Sequence, residues 1–215
     1  MKKYSVKTTV LIGMLAAVAY VTVFLFRIPV VMFLKYEPKD VIITIGGFLL
    51  GPLAASLISL TVSLVEMLTV SETGPIGALM NLLSSCSFAC IASIIYKKRH
   101  TLGGAILGLG IGSVVTVCVM LLWNWLITPL YMGQPREAIE ALLLPAFLPF
   151  NVIKTGLNSA LVLLLYKPLV GAIRKTGLAE APATKDRSSK IGIYLLGAGL
   201  LATCILLLLV FQGKI

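Results

Sequence analysis

Long apolar runs dominate this chain, and the places where they break decide its organisation. Apolar stretches long enough to cross about 30 Å of hydrocarbon, which takes roughly 20 helical residues, lie at 8–26, 76–96, 102–130, 144–166 and 191–211. A further stretch, 41–70, is too long for one upright helix and contains Gly46, Gly47, Gly51 and Pro52. Proline lacks the N–H of a helical ladder and its ring clashes with the preceding turn. The pattern therefore predicts two helices joined near Gly51, the first short and so tilted or partly surrounded by protein.

Charge decides the number of crossings. With two passes in 41–70, Lys2, Lys3, Lys7, Lys97, Lys98, Arg99 and the basic residues of 167–190 fall on one side, 12 of the 18 in the chain. With one pass this asymmetry collapses. Basic residues concentrate in cytoplasmic loops, so the N-terminus is expected inside. No small-residue cleavage site precedes Arg27, and the first run reads as a retained helix rather than a signal peptide. The predicted fold class is an all-α polytopic membrane protein. Residues 1–175 form a six-helix bundle, 176–190 a basic cytoplasmic linker with the solvated composition EAPATKDRSS, and 191–215 an additional C-terminal transmembrane helix. The apolar run 191–211 has no acidic or basic residue, which suits packing or anchoring. No internal repeat of the transporter kind is evident.

Composition agrees: 59% of residues are hydrophobic, 12% are charged, and the mean hydropathy is +1.03. The net charge of +10 would suit nucleic acid on a soluble face. Here the basic residues cluster between apolar runs, so the expected surroundings are a lipid bilayer and no nucleic acid. Cys86, Cys90, Cys118 and Cys204 all lie in predicted spans without a CxxC pair or adjacent histidine, as packing residues do.

Several activities are excluded by what the spans lack. No GxxxxGK[ST] loop occurs, and the single histidine, His100, sits in a basic loop. Glu66 is the only acid within a predicted span and lies near its outer end, a poor basis for a proton relay. No paired aspartate, Ser/His or HExxH constellation supports intramembrane hydrolysis. A binding subunit that depends on a partner for energy remains, not an enzyme.

Polar residues inside the spans gather at one depth near the outer ends: Asn81, Asn124, Asn151 and Lys154. In PFNVIKTG, residues 149–156, Asn151 and Lys154 are three apart and share a helical face. A lysine near a bilayer centre costs roughly 2.5–3.5 kcal/mol on insertion scales. Two readings stay open. Either the asparagines are cross-helix links worth about 0.6–2 kcal/mol each, with Lys154 snorkelling outward, or all four residues line a pocket. Trp123, Trp125 and Tyr131 give aromatic surface around Asn124, or serve as interfacial anchors. The segment LKYEPKD adds Leu34, Tyr36 and Asp40 on the same side, as a cap or as a plain solvated connection. In GMLAAVA, Gly13 and Ala17 stand one turn apart, a small-xxx-small face for a docking partner or for internal packing.

Taken together, GMLAAVA, LKYEPKD, GALMNLLSS, NWLITPLY and PFNVIK, in this order and spacing, resemble the riboflavin-specific substrate-binding (S) component of energy-coupling factor (ECF) transporters. The resemblance covers residues 5–175. It implies a six-helix fold in the bacterial cell membrane with a high-affinity vitamin site open to the outside. It also implies an engine made of a transmembrane coupling subunit and two ATPases. Riboflavin is then a transported ligand, not a cofactor. Asn124, Asn151 and Lys154 match positions that hydrogen-bond the flavin, the region of Asn81 lines the pocket, and the first loop, with Leu34, Tyr36 and Asp40, covers it. Gly13 and Ala17 match a docking AxxxA motif, the glycine keeping its first position small. The additional helix departs from the six-helix pattern.

The residue chemistry suits this ligand. The pyrimidine edge of isoalloxazine alternates acceptors with one N–H, which an asparagine amide can match with donor and acceptor, while lysine only donates. The apolar rings would bury against leucine, methionine and aromatic side chains such as Trp123 and Tyr131. A cationic vitamin such as thiamin would meet Lys154 with like charge; flavin mononucleotide stays open beside riboflavin. The alternatives are an S component for another vitamin and a structural or regulatory membrane protein held by asparagine contacts.

Overall fold

The computed structural model describes residues 5–31, 34–70, 74–175 and 190–213. Helix α1, Val6–Leu25, starts where Ser5 Oγ accepts from the Thr8 N–H at 3.3 Å, satisfying one orphan donor of its first turn. An antiparallel hairpin follows, β1 Ile28–Val31 with β2 Leu34–Tyr36, carrying a register shift between Pro29 and Val31. Next come α2 Lys39–Leu50, α3 Pro52–Thr69, α4 Gly74–Arg99 and α5 Leu102–Leu126. Short α6 Thr128–Met132 and α7 Arg136–Leu142 lead through a π-helical turn, Leu143–Phe147, into α8 Leu148–Lys175. The last element is α9, Lys190–Phe211. Among the described residues six helical stretches are long and apolar enough to cross a membrane.

The 41–70 stretch is two helices, as its glycines and proline predict. Gly51 has φ 98° and ψ 172°, a region essentially restricted to glycine, and Pro52 opens α3, where its missing N–H costs nothing. At 12 residues, α2 spans about 18 Å, too short to cross alone. It is enclosed instead: every residue from Lys39 to Phe48 is buried.

Two other boundaries differ from the sequence expectation. The run 102–130 divides after Leu126, because Thr128–Met132 restarts as a separate helix with Pro129 in its first turn. The run beginning at 144 opens with the π turn around Pro145, and α8 extends past 166 to Lys175. Proline at 145 and 149 removes ladder donors, which favours a wider turn there. Of the connector expected at 176–190, all but Lys190 lies outside the described residues.

The bundle has two chemically distinct ends. At one, Lys97, Lys98 and Arg99 close α4, and the Tyr96 and Tyr166 hydroxyls meet at 2.6 Å, joining the end of α4 to α8. At the other, Tyr20 Oη donates to Thr69 Oγ1 at 2.9 Å and Arg27 Nη1 to the Val70 carbonyl at 2.9 Å. These bonds draw α1 and the hairpin onto α3. Between the ends, large apolar side chains such as Val114, Leu122 and Leu206 stand exposed. In water such a surface would aggregate; here it is the lipid-facing belt of a multi-pass membrane protein. Helix α9 packs along α8 and touches β1.

Candidate functional site

At the end away from the α4 basic cluster the helices enclose a cavity of about 320 Å³, within the range typical of small-molecule sites. Helical spacing explains its walls. From α4 come Gly77, Met80, Asn81 and Ser84, from α5 Met120, Trp123 and Asn124, and from α8 Phe150, Asn151 and Lys154. In each set the intervals of three and four residues put the side chains on one face. Tyr131 of α6 closes one side, Leu34 and Lys35 of β2 another, and Arg27, Glu37 and Glu66 form a charged corner.

Seven of the residues singled out in the sequence thus surround one space: Asn81, Asn124, Asn151, Lys154, Leu34, Trp123 and Tyr131. Tyr36 and Asp40 do not line it. Pro38 turns the chain into α2, which carries Asp40 into the core. There it accepts from Ser85 Oγ and, at 3.3 Å, from Asn158 Nδ2. Tyr36 Oη donates to Asn158 Oδ1 at 3.0 Å. Of segment 34–40, Leu34, Lys35 and Glu37 line the cavity, while Tyr36, Lys39 and Asp40 are buried support. Trp125 also points elsewhere, donating to Glu140 Oε1 at 2.7 Å with the Arg136 guanidinium 4.9 Å above its ring.

Lys154 does not snorkel. Its Nζ donates to Ser84 Oγ at 3.1 Å and lies 3.4 Å from Asp40 Oδ2, so the counter-ion that makes the buried cation tolerable is internal. The asparagines at 124 and 151 bond to groups four residues away along the chain, Asn124 bridging α5 to the start of α6. Asn124 Nδ2 donates to the Met120 carbonyl at 2.7 Å and its Oδ1 accepts from Thr128 Oγ1 at 2.9 Å. Asn151 Nδ2 donates to the Phe147 carbonyl at 2.8 Å. These local bonds fix each amide plane, and an amide has a second N–H and further lone pairs to offer a ligand. Asn81 differs: its Nδ2 reaches across to Glu66 Oε2 at 2.8 Å.

A charge network beside the cavity escaped the sequence reading. Lys39, 1% exposed, donates to Glu66 Oε1 at 2.7 Å and to Glu37 Oε2 at 3.0 Å, while Arg27 Nε donates to Glu37 Oε1 at 3.0 Å. With Lys154 and Asp40, three cations face three carboxylates, the balance that buried charge requires. Burial alone would raise the Glu37 carboxyl, but Lys39, Lys154 and Arg27 outweigh it and hold it below the usual carboxylate range. The available signal was the presence of both signs of charge, Arg27, Glu37, Lys39, Asp40 and Glu66, at the outer ends of apolar runs.

On the outside of α1, Gly13 and Ala17 are both exposed, and no atom lies within 4 Å of where a Gly13 Cβ would stand. Packing within the described bundle does not use this face.

A family model described as the substrate-specific component of ECF transporters matches residues 7–166. The riboflavin transporter RibU of Staphylococcus aureus (strain TCH60) is 29% identical over 177 residues, 79% of this chain and 93% of its own. The riboflavin transporter FmnP of Bacillus subtilis (strain 168) is 26% identical over 160 residues, 69% of this chain and 84% of its own. Among solved structures, the S component of a bacterial ECF transporter aligns with a TM-score of 0.67 at 29% identity, covering 78% of this chain and 98% of that one.

Proposed function

The chain belongs to the substrate-specific components of ECF transporters, and we propose that it is the riboflavin-binding subunit of an ATP-driven vitamin importer. The observation that carries this reading is the convergence of Asn124, Asn151 and Lys154 on one cavity whose other walls include Met80, Met120, Trp123 and Phe150. The two amides and the ammonium meet the pyrimidine edge of the isoalloxazine, the amides as donors and acceptors and Lys154 as donor only. The apolar side chains cover the fused rings. The corner formed by Arg27, Glu37 and Glu66 suits the hydroxyls of the ribityl chain, which both donate and accept.

Charge favours riboflavin over flavin mononucleotide. Arg27 is paired with Glu37, Lys39 with Glu37 and Glu66, and Lys154 with Asp40. A phosphate dianion brought into this corner would meet two carboxylates, Glu37 and Glu66, and one cation, Arg27, that is already paired with Glu37. The cavity lies at the end away from the cluster at Lys97, Lys98 and Arg99, and the basic end belongs inside. The N-terminus is therefore cytoplasmic and the site receives ligand from outside. Residues 1–175 form the binding unit.

The chain supplies binding, and hydrolysis belongs to partners: a transmembrane coupling subunit with two ATPases. Gly13 and Ala17 on the open face of α1 let a partner helix approach closely. The direct test is purification in detergent from riboflavin-containing medium. The protein is expected to carry the visible absorption of oxidised isoalloxazine. Protein that carries none and takes none up from a riboflavin solution would refute the substrate assignment.

A further inference from the structure

Helix α9 lies beyond the residues matched by the family model, which stop at 166, yet it is built into the fold. A Cβ on Gly156 of α8 would stand 2.6 Å from Cys204 Sγ of α9, and one on Gly197 of α9 would stand 2.9 Å from Leu164 Cγ and 3.4 Å from the Ala160 carbonyl oxygen. Close approach at two glycines, one on each helix, fixes α9 in register against α8. From this footing its final turns reach the cavity end. Cys204 is buried, and Leu208 and Phe211 pack onto the cluster that contains Val30, Leu34 and Phe150. Leu34 and Phe150 are cavity walls.

Just past the helix, Gln212 Nε2 donates to the Pro29 carbonyl at 2.8 Å. The recipient strand needs such support. Strand β1 pairs on one side only, Pro29 has no N–H to give, and the register shift beside it weakens the ladder further. A hairpin of two short strands is marginal unless something packs against it.

We propose that α9 holds the hairpin against the cavity, with Gln212 as a positioning residue, so that this helix sets how fast ligand enters and leaves the site. Gln212 does not line the cavity, so its removal takes no contact from the ligand. It frees the wall formed by β2 to move. Uptake and release then accelerate together while the equilibrium affinity changes little. The proposal rests on the flavin-binding reading for its second readout alone.

The test uses full-length protein with Gln212→Ala, Gln212→Glu and Gln212→Lys. Alanine and glutamate offer Pro29 no donor, whereas lysine does. The first readout is amide hydrogen exchange in ligand-free protein, over the hairpin and over α8. The second is riboflavin association and release followed by stopped-flow flavin fluorescence. Gln212→Ala and Gln212→Glu are expected to speed exchange in the hairpin but not in α8. Both should raise the two flavin rates about fivefold, the scale of one neutral hydrogen bond, and Gln212→Lys should restore parental behaviour. Hairpin exchange at the parental rate in the alanine and glutamate variants overturns the proposal, as does an equal rise in α8, which means general loosening. If the parent binds no flavin, the functional reading fails, and hairpin exchange still decides whether α9 holds the wall.

Discussion

Lys154 combines two duties, because the same ammonium faces the cavity and neutralises Asp40 at 3.4 Å. The asparagines have only the first. Asn124→Ala and Asn151→Ala are each expected to weaken riboflavin binding by about 1–3 kcal/mol, the cost of stranding a buried partner, with little loss of thermal stability in detergent. Lys154→Met should behave differently. It leaves Asp40 buried without its cation, and breaking such a pair costs about 3–5 kcal/mol. Adding Asp40→Asn should recover most of the stability but not the binding, since the donor proposed for the flavin is still missing. Thermal unfolding and ligand titration of the single and double variants separate the two duties. Equal stability of Lys154→Met and the parent would show that the Asp40 pair carries no structural weight.

At the scale of elements, what the sequence revealed follows from what a bilayer forces. Every backbone group in hydrocarbon must be paired within its own helix, so the apolar runs had to be helices, and the Gly51–Pro52 step had to divide 41–70. Asn151 and Lys154 share a face in any helix. The hairpin at 28–36 was not legible, because IPVV and LKY are too short to show alternation and the segment reads as a connection. Nor was the burial of Lys39 and Asp40. Their neighbours on α2 are apolar on every side, but only tertiary packing brings Glu66 and Lys154 to meet them. The π turn around Pro145 rests on two prolines four apart, a pattern that a run-length reading treats as continuous helix. The outward face of α1 carries its own prediction. Gly13→Leu with Ala17→Leu should block close approach of a partner helix and abolish co-purification with the coupling subunit and ATPases, while riboflavin binding persists. Normal assembly of a folded variant would remove the docking role.

For the molecule as a whole, the account joins a belt of lipid-facing helices, a charge-balanced cluster near one end and a cavity whose polar groups converge from α4, α5 and α8. Under the proposed function each feature has its own part: the cavity accommodates the ligand, the apolar walls its flat body and the asparagines its hydrogen-bonding edge, while the paired charges disfavour an added phosphate. The measurement that tests their conjunction most directly is titration of the purified, flavin-depleted protein with riboflavin, flavin mononucleotide and thiamin, followed by flavin fluorescence or calorimetry. Riboflavin should bind with a dissociation constant below about 1 μM, or roughly −8 kcal/mol, flavin mononucleotide more weakly, and thiamin not detectably. Absence of riboflavin binding by folded protein, or tighter binding of thiamin, would contradict the account.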